Sequence, residues 1–283
     1  MFCTSCGADV SGLNYCGKCG AKVKIELPAT PDLDLVLVGN QLTIGPVYAC
    51  IKILPHNEQT VRVLVAGDEE AKSGIQFTTR DGSPFLSEKI PGVTFRRYNE
   101  VEFYDDGSVT INGVFLPLQK RLDITIYLPT NAALAIEDLC LAKLIEMGDF
   151  SNFTLSMSGA TDVTAGNFNF LSARMSGSGN LKLGESRSSM SVSIAGSGDV
   201  KGAKVNGDFL EIQIAGSGDV KIRGGSVNRV SVSIAGSGDV SLSMSARSSS
   251  FSIMGSGDIS LDHSDTKPVK SIMGSGDIEV GNW

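Results

Sequence analysis

The chain of 283 residues is long enough for one or two domains with a buried core. Its 24 basic and 31 acidic residues give a net charge of -7, which argues against a general nucleic-acid binder because such binding depends on a basic surface. Hydrophobic residues make up 41% of the chain and charged residues 19%, a balance that excludes a disordered chain. Because 29 of the 35 serines follow residue 150 and eight of the nine prolines precede residue 130, the second half is either low-complexity or a repeat.

The first 19 residues contain two Cys-x2-Cys-Gly motifs, formed by Cys3, Cys6, Cys16 and Cys19. Each motif can turn with both sulfurs aimed at one ion, and four thiolates complete the tetrahedral shell of Zn²⁺ without an open position. We therefore predict a zinc ribbon over residues 1–24 with one structural zinc ion, acting as a docking module. A redox pair or rubredoxin-like iron is the alternative. Residues 25–34, with Pro28 and Pro31, are predicted to be a linker.

The clustering of the cysteines also indicates the cellular compartment of the protein. It favours metal binding in a reducing cytoplasm over a disulfide framework, and we predict a cytoplasmic location. The N-terminus shows no signal-peptide pattern, and no apolar run reaches the length of a membrane span. Cys50 and Cys140 stand apart from the motifs and are predicted to be buried apolar thiols.

Residues 35–130 are predicted to form a β-rich entry and cap for the second half of the chain. Residues 61–65 and 122–128 alternate apolar and polar side chains, as half-buried strands do. A hairpin is predicted around Asp105-Asp106-Gly107. Residues 131–147 fit either strands or a helix. We favour strands, with Asp138-Leu139 in the place that Asp162-Val163 takes one repeat later.

A repeat organises residues 131–283. Gly-Ser-Gly-Asp/Asn occurs six times after a degenerate copy at Gly159–Asp162, at intervals of 18 to 20 residues; the six copies are Gly177–Asn180, Gly196–Asp199, Gly216–Asp219, Gly236–Asp239, Gly255–Asp258 and Gly274–Asp277. Alternating apolar residues flank every copy, which indicates a strand on each side of a turn. Identical turns at this period predict one rung per repeat of a single-stranded parallel β-helix, about 4.8 Å per rung and about 34 Å for seven rungs. The fold class is therefore all-β.

The acids of the repeated turns form one column, and we predict that they accept hydrogen bonds from nearby amides as in Asx-type turns. A calcium-binding column is the weaker alternative. These residues are Asp162, Asp199, Asp219, Asp239, Asp258 and Asp277.

The repeats resemble the head GIN family, described as auto-transporter adhesin head domains, a bacterial β-helix family of largely unknown function. The segment Arg121–Pro129 also resembles the strand that precedes the repeats in that family. The resemblance covers roughly residues 40–283. It implies a β-helix and an adhesin-like head domain.

The sequence predicts a non-catalytic scaffold whose repetitive face binds a protein partner, a glycan or a second copy of the chain. His56 and His263 are interpreted as surface side chains, and no P-loop, HExxH or G-x-S-x-G motif occurs in the sequence. A polysaccharide-binding or glycan-acting β-helix protein is the first alternative, and a zinc-ribbon nucleic-acid regulator the second. Trp283 is predicted to cover the last rung, with a dimer contact as the alternative.

Overall fold

The computed structural model describes residues 33–80, 82–95, 100–137, 141–142 and 144–283. All of them belong to one compact unit, Leu33–Trp283. The strands are β1 (Leu33–Val38), β2 (Gln41–Ile44), β3 (Ala49–His56), β4 (Thr60–Ala66), β5 (Ile75–Arg80), β6 (Ser83–Glu88), β7 (Val101–Phe103), β8 (Val109–Ile111), β9 (Val114–Leu116), β10 (Leu122–Pro129), β11 (Asn131–Ile136), β12 (Leu144–Met147), β13 (Phe150–Gly159), β14 (Asp162–Ala165), β15 (Phe168–Gly177), β16 (Leu181–Gly196), β17 (Val200–Gly216), β18 (Val220–Ile222), β19 (Gly225–Gly236), β20 (Val240–Gly255), β21 (Ile259–Ser264), β22 (Val269–Gly274) and β23 (Ile278–Asn282). One short α-helix, α1 (Glu69–Ser73), and one 3-10 helix (Leu118–Lys120) complete the elements of this part of the chain.

The protein is a parallel β-solenoid of about 8 turns. Strand β15 pairs in parallel with β16, β16 with β17, and β17 with β19, and equivalent residues of neighbouring rungs differ by 18 to 20 positions. For example, Ile194 lies beside Ile214, and Ile214 beside Ile234. The sequence period is therefore one rung, as predicted.

The interior of the solenoid is an aliphatic column that runs from rung to rung. The residue two places before each repeated turn is buried in six of the seven rungs: Met157, Met175, Ile194, Ile214, Ile234 and Ile253. These aliphatic side chains stack in register, and buried phenylalanines pack in the same core at Phe150, Phe153, Phe168 and Phe251.

The last rung is more open than predicted. Ile272, the seventh member of the column, is 42% exposed, and Trp283 is 64% exposed. The Trp283 ring lies 5.8 Å from the Lys267 ammonium instead of covering the rung. The prediction that Trp283 caps the last rung is therefore wrong.

The entry end contains an additional rung that the repeat pattern does not mark. Strand β2 pairs in parallel with β11, and β3 pairs in parallel with β12. Residues 57–130 are inserted between β3 and β11. Strand β10 of this insertion pairs in parallel with β3. Strand β4, also of the insertion, pairs antiparallel with β10, and β1, which precedes the insertion, pairs antiparallel with β4. Strands β5 and β6 form an antiparallel hairpin whose β6 lies beside β2.

The insertion also carries a small antiparallel sheet with its own core. Strands β7 and β8 form the predicted hairpin around Asp106, and β9 pairs with β8. A second apolar cluster lies beneath this sheet and includes Tyr48, Ile90 and Leu116. It is distinct from the aliphatic column of the solenoid.

Two predictions about this region need correction. The partners of Asp162 and Val163 in the preceding rung are Leu144 and Ile145, so the placement of Asp138-Leu139 there was wrong. The offset between paired residues falls from 21 at Ile136 and Met157 to 18 at Leu144 and Asp162, so the connection between β11 and β12 is three residues longer than the next one along the chain. Asp138 and Leu139 themselves lie outside the described residues. Cys50 is exposed and not buried as predicted, because β3 places its neighbours Ala49 and Ile51 on the inner side. Cys140 lies outside the described residues.

Candidate interaction surface

Each repeated turn is a corner whose two glycine positions lie too close to the neighbouring rung for a side chain. At the first glycine of the corner, backbone φ lies between 139° and 159° in all six copies, a region that favours glycine. A Cβ at the second glycine, such as Gly218, would overlap the carbonyl oxygen of the glycine one rung earlier, here Gly198. Both glycines are therefore needed for the rung spacing.

The acids of the corners form a hydrogen-bonded column between rungs. The carboxylate of Asp219 accepts the backbone N–H of Asp239 at 2.8 Å, and Asp239 accepts that of Asp258 at 2.8 Å. The same bond joins Asp162 to Asn180, Asn180 to Asp199, Asp199 to Asp219, and Asp258 to Asp277. The predicted Asx-type bond is thus made to the next rung, and only Asp277 accepts an amide of its own turn, from Ile278 at 2.8 Å.

These hydrogen bonds give the acids of the column a structural role. In the described part of the chain, no three His, Cys, Asp or Glu side chains are grouped as metal ligands. The calcium alternative for the column stays a prediction. The predicted zinc ligands Cys3, Cys6, Cys16 and Cys19 lie outside the described residues.

One side of the solenoid presents a flat, serine-rich surface, here called the serine face. It is formed by the outward positions of the strands that precede the corners, and its members are Ser156, Ser158, Ser172, Ser176, Ser191, Ser193, Ala195, Ala215, Ser231, Ser233, Ala235, Ser250, Ser252 and Ser271. Serine or alanine recurs at these positions on most rungs, about 4.8 Å apart, with Arg174, Glu211, Gln213, Met254 and Met273 interrupting the columns. The face can therefore make similar contacts on several rungs along a regular partner.

A shallow groove of about 400 Å³ lies at the entry end of the serine face. Ser156, Ser176 and Ser193 line it together with Arg174 and Glu137. The Glu137 carboxylate is held 2.8 Å from the guanidinium of Arg80. The groove thus combines hydroxyls, a guanidinium and a paired carboxylate, which are the groups that bind polar ligands.

The adjoining side carries a short basic column next to the acids. Lys182, Lys201 and Lys221 lie in register on successive rungs and are exposed. Lys201 is 3.9 Å from the carboxylate of Asp199. The predicted Asp column is therefore accompanied by a lysine column that occupies three rungs.

Sequence reasoning missed a second corner. The Asp149 carboxylate accepts the backbone and side-chain N–H groups of Asn167 at 2.8 and 3.0 Å, and these bonds lower the pKa of Asp149. Asn167 in turn accepts the N–H of Glu185 at 2.8 Å. Gly148-Asp149, Gly166-Asn167 and Gly184-Glu185 recur every 18 residues, a signal that could have been found.

The two histidines lie where turns leave them accessible. The His56 ring is 2.6 Å from the carbonyl oxygen of Thr60 and lies near the Tyr127 ring. His263 is exposed and 3.1 Å from the Asp265 carboxylate. Each therefore has a local structural contact.

Comparison with known proteins agrees with this architecture. The family model "Putative auto-transporter adhesin, head GIN domain" matches residues 51–243 and 203–282. The chain belongs to this family. The head GIN repeats of this chain are the corners and strands described above. No curated protein matches the chain.

Solved structures share the fold. A protein of Parabacteroides distasonis ATCC 8503 described as a putative lipid binding protein is 19% identical, with a TM-score of 0.62, 88% of this chain and 96% of that chain covered. A putative adhesin of the same strain is 16% identical, with a TM-score of 0.63 and coverages of 88% and 97%. A putative adhesin of Parabacteroides merdae ATCC 43184 is 14% identical, with a TM-score of 0.63 and coverages of 88% and 95%.

None of the helices in the part of the chain that the structure describes is long and apolar enough to cross a membrane.

Proposed function

We propose that this head GIN protein is a non-catalytic interaction scaffold whose serine face binds a partner with a regular surface. The observation that carries the proposal is the recurrence of serine and alanine side chains in register on most rungs of the stack. A binding energy spread over many equal contacts is the mechanism that such a face supports. The adhesin descriptions of the family and of structural neighbours support a binding role and not an enzymatic one.

A zinc ribbon over residues 1–24 is the second part of the proposal. Cys3, Cys6, Cys16 and Cys19 would hold one structural Zn²⁺, and the module would dock a separate protein. The support is the spacing of the two Cys-x2-Cys-Gly motifs. A cytoplasmic location goes with this proposal, since reduced thiolates are the zinc-binding form.

A polysaccharide is the second candidate partner. The observation that favours it is the groove beside Arg174, where serine hydroxyls and charged groups face the same space. A glycan chain could follow the face from this groove across successive rungs. One structural neighbour is described as a putative lipid binding protein. The hydroxyl-rich face of this chain gives no reason to propose a lipid as its ligand.

The test is affinity capture from a cell extract with the full chain as bait, run beside titration against a panel of soluble polysaccharides. The matched control is Cys16→Ser, which breaks the proposed zinc site. Proteins or glycans bound by both baits would support binding by the solenoid, and proteins lost with Cys16→Ser would support docking by the ribbon. Cleavage of a polysaccharide, or no bound partner of either class, would contradict the scaffold proposal.

A further inference from the structure

A cavity of about 210 Å³ lies in the insertion, away from the serine face. It is partly open to solvent and lies between the start of β3, the end of β6, α1, β9 and the 3-10 helix. Its wall is mainly apolar and includes Tyr48, Ile90, Val114 and Leu116. An engineered apolar cavity of about 150 Å³ binds benzene, so this space is large enough for a six-membered ring with a short substituent.

One acid is buried in the wall of this cavity. Glu88 is 5% exposed and lines the space. One carboxylate oxygen, Oε2, accepts the backbone N–H of Tyr48 at 2.9 Å. In the described part of the chain, every fully buried side-chain oxygen has a hydrogen-bond partner, so a Glu88 oxygen without one is open to the cavity. A carboxylate in a mainly apolar wall is poorly solvated, and a donor from a ligand would stabilise it.

The surrounding charges decide which donor fits. Lys120, the cation of the cavity wall, already lies 2.8 Å from the Asp68 carboxylate and 2.6 Å from that of Glu70. Two carboxylates thus share one ammonium group, and Glu88 adds a third carboxyl group to the cavity wall. The local charge is therefore negative, which repels an anionic ligand and attracts a cationic one.

We propose that this cavity binds a small apolar amine, with its ammonium group on the Glu88 carboxylate and its hydrocarbon body against Tyr48, Ile90 and Leu116. The ammonium would donate to the Glu88 carboxylate inside the cavity and offset the cost of its burial. The apolar wall would bury the ligand body. This site is separate from the proposed function of the serine face, and either can fail without the other.

The proposal has a proton-linked signature. Burial raises the pKa of Glu88 to about 7, against 4.5 for an ordinary glutamate. The other ionisable groups of the cavity wall are Glu70 of α1, Lys120 of the 3-10 helix and Tyr48, which immediately precedes β3 and whose hydroxyl donates to the carbonyl of Gly107 at 2.7 Å. An ammonium ligand favours ionised Glu88, so binding at pH 6 releases a proton and binding at pH 8 releases much less.

The test is calorimetric titration of the full chain with benzylamine, cyclohexylamine and n-butylamine. Benzyl alcohol and benzoate serve as neutral and anionic probes of matched size. We expect at least one amine to bind at pH 8 at least tenfold more tightly than the alcohol or benzoate. We also expect proton release at pH 6, read from buffers of different ionisation enthalpy.

Variants separate the carboxylate from the cavity shape. Glu88→Gln should weaken amine binding at least tenfold, abolish the proton release and leave the alcohol unaffected. Glu146→Gln, at an exposed position of β12, is the matched control and should change nothing. Val114→Phe, which fills the cavity without altering charge, should weaken the amine and the alcohol alike. Failure of all three amines to bind, tighter binding of benzoate, or full amine binding by Glu88→Gln would overturn the proposal.

Discussion

At the scale of single residues, the corner glycines determine how closely rungs approach. We predict that Gly218→Ala destabilises the fold by about 2 kcal/mol or more, because the new Cβ overlaps the Gly198 carbonyl oxygen. Gly224→Ala is the control, since its Cβ would meet nothing closer than 3.4 Å. Urea unfolding of the two variants measures the difference. Equal stability would show that the rungs are not stacked as described.

The buried Glu88 predicts a pH dependence of stability. Its folded pKa of about 7 exceeds 4.5, so the folded state holds a proton that the unfolded state releases between these values. Its contribution is complete below pH 4.5 and is lost as the pH rises through 7, by about 3 kcal/mol in total. Urea unfolding from pH 4.5 to 8 should show wild type losing stability relative to Glu88→Gln. A difference between the two proteins that is independent of pH would contradict the burial of an ionisable Glu88.

Asp34, Asp68, Asp106 and Asp149 act in the opposite direction. Their pKa values are lowered, in each case first by a side-chain hydrogen bond, from Arg62, Lys120, Ser108 and Asn167 respectively. Their contributions are present above the ordinary pKa and are lost as the pH falls below it. The comparison with Glu88→Gln cancels these contributions because both proteins contain them.

Single residues also mark the limit of sequence reasoning. The alternation of Ala49, Ile51 and Ile53 is sufficient to place Cys50 outside, whereas the preference of free cysteines for burial predicts the opposite. Glu88 carries no such signal, because its burial depends on elements distant in the chain, among them α1 and β9. A residue's own position in a strand can be read from alternation, whereas its burial by an insertion cannot.

At the scale of elements, the aliphatic column should lose stability in proportion to burial. Ile214→Ala should cost about 2–5 kcal/mol, since this side chain is 2% exposed in the middle of the stack. Ile272→Ala, at the same repeat position but 42% exposed, should cost less than half as much. Thermal and urea unfolding report both values. Equal losses would mean that the last rung is as well covered as the middle ones.

The zinc ribbon is tested as an element of its own. Purified full chain should contain about one zinc ion per molecule, and Cys16→Ser should lose it, because three thiolates cannot complete the proposed tetrahedral shell. Elemental analysis with a thiol titration is the measurement, and Cys50→Ser, which changes an exposed cysteine outside the motifs, is the control. Equal zinc in wild type and Cys16→Ser would contradict the ligand set.

The repeated rungs were predictable because each carries the same turn chemistry at one period. The rung formed by β2 and β3 was not, since no Gly-Ser-Gly-Asp turn connects them and their parallel partners come after an insertion of more than seventy residues. The alternation of apolar and polar residues identified β4 and β10 as strands, but it did not show which strands they pair with. Pairing between distant strands is decided by tertiary packing, which a local pattern does not contain.

At the scale of the whole molecule, the stack makes two different surfaces from one repeat. The strands before the corners build the serine face, and the strands after the corners carry the lysine column. Since neighbouring rungs lie in register, any side chain that repeats in sequence becomes a straight column in space. The interaction surface is therefore a property of the stack and of no single rung.

The central claim is that the serine face is the binding surface, and lysine substitution on two sides of the solenoid tests it. Ser193→Lys with Ser233→Lys alters the serine face, and Ser241→Lys with Ser260→Lys adds the same charge to the adjoining side. Equilibrium affinity for the captured partner is measured for both double variants and wild type. We expect at least a tenfold loss of affinity for the first double variant and less than a twofold change in affinity for the second. Unchanged affinity in the first pair, or equal loss in both, would contradict it.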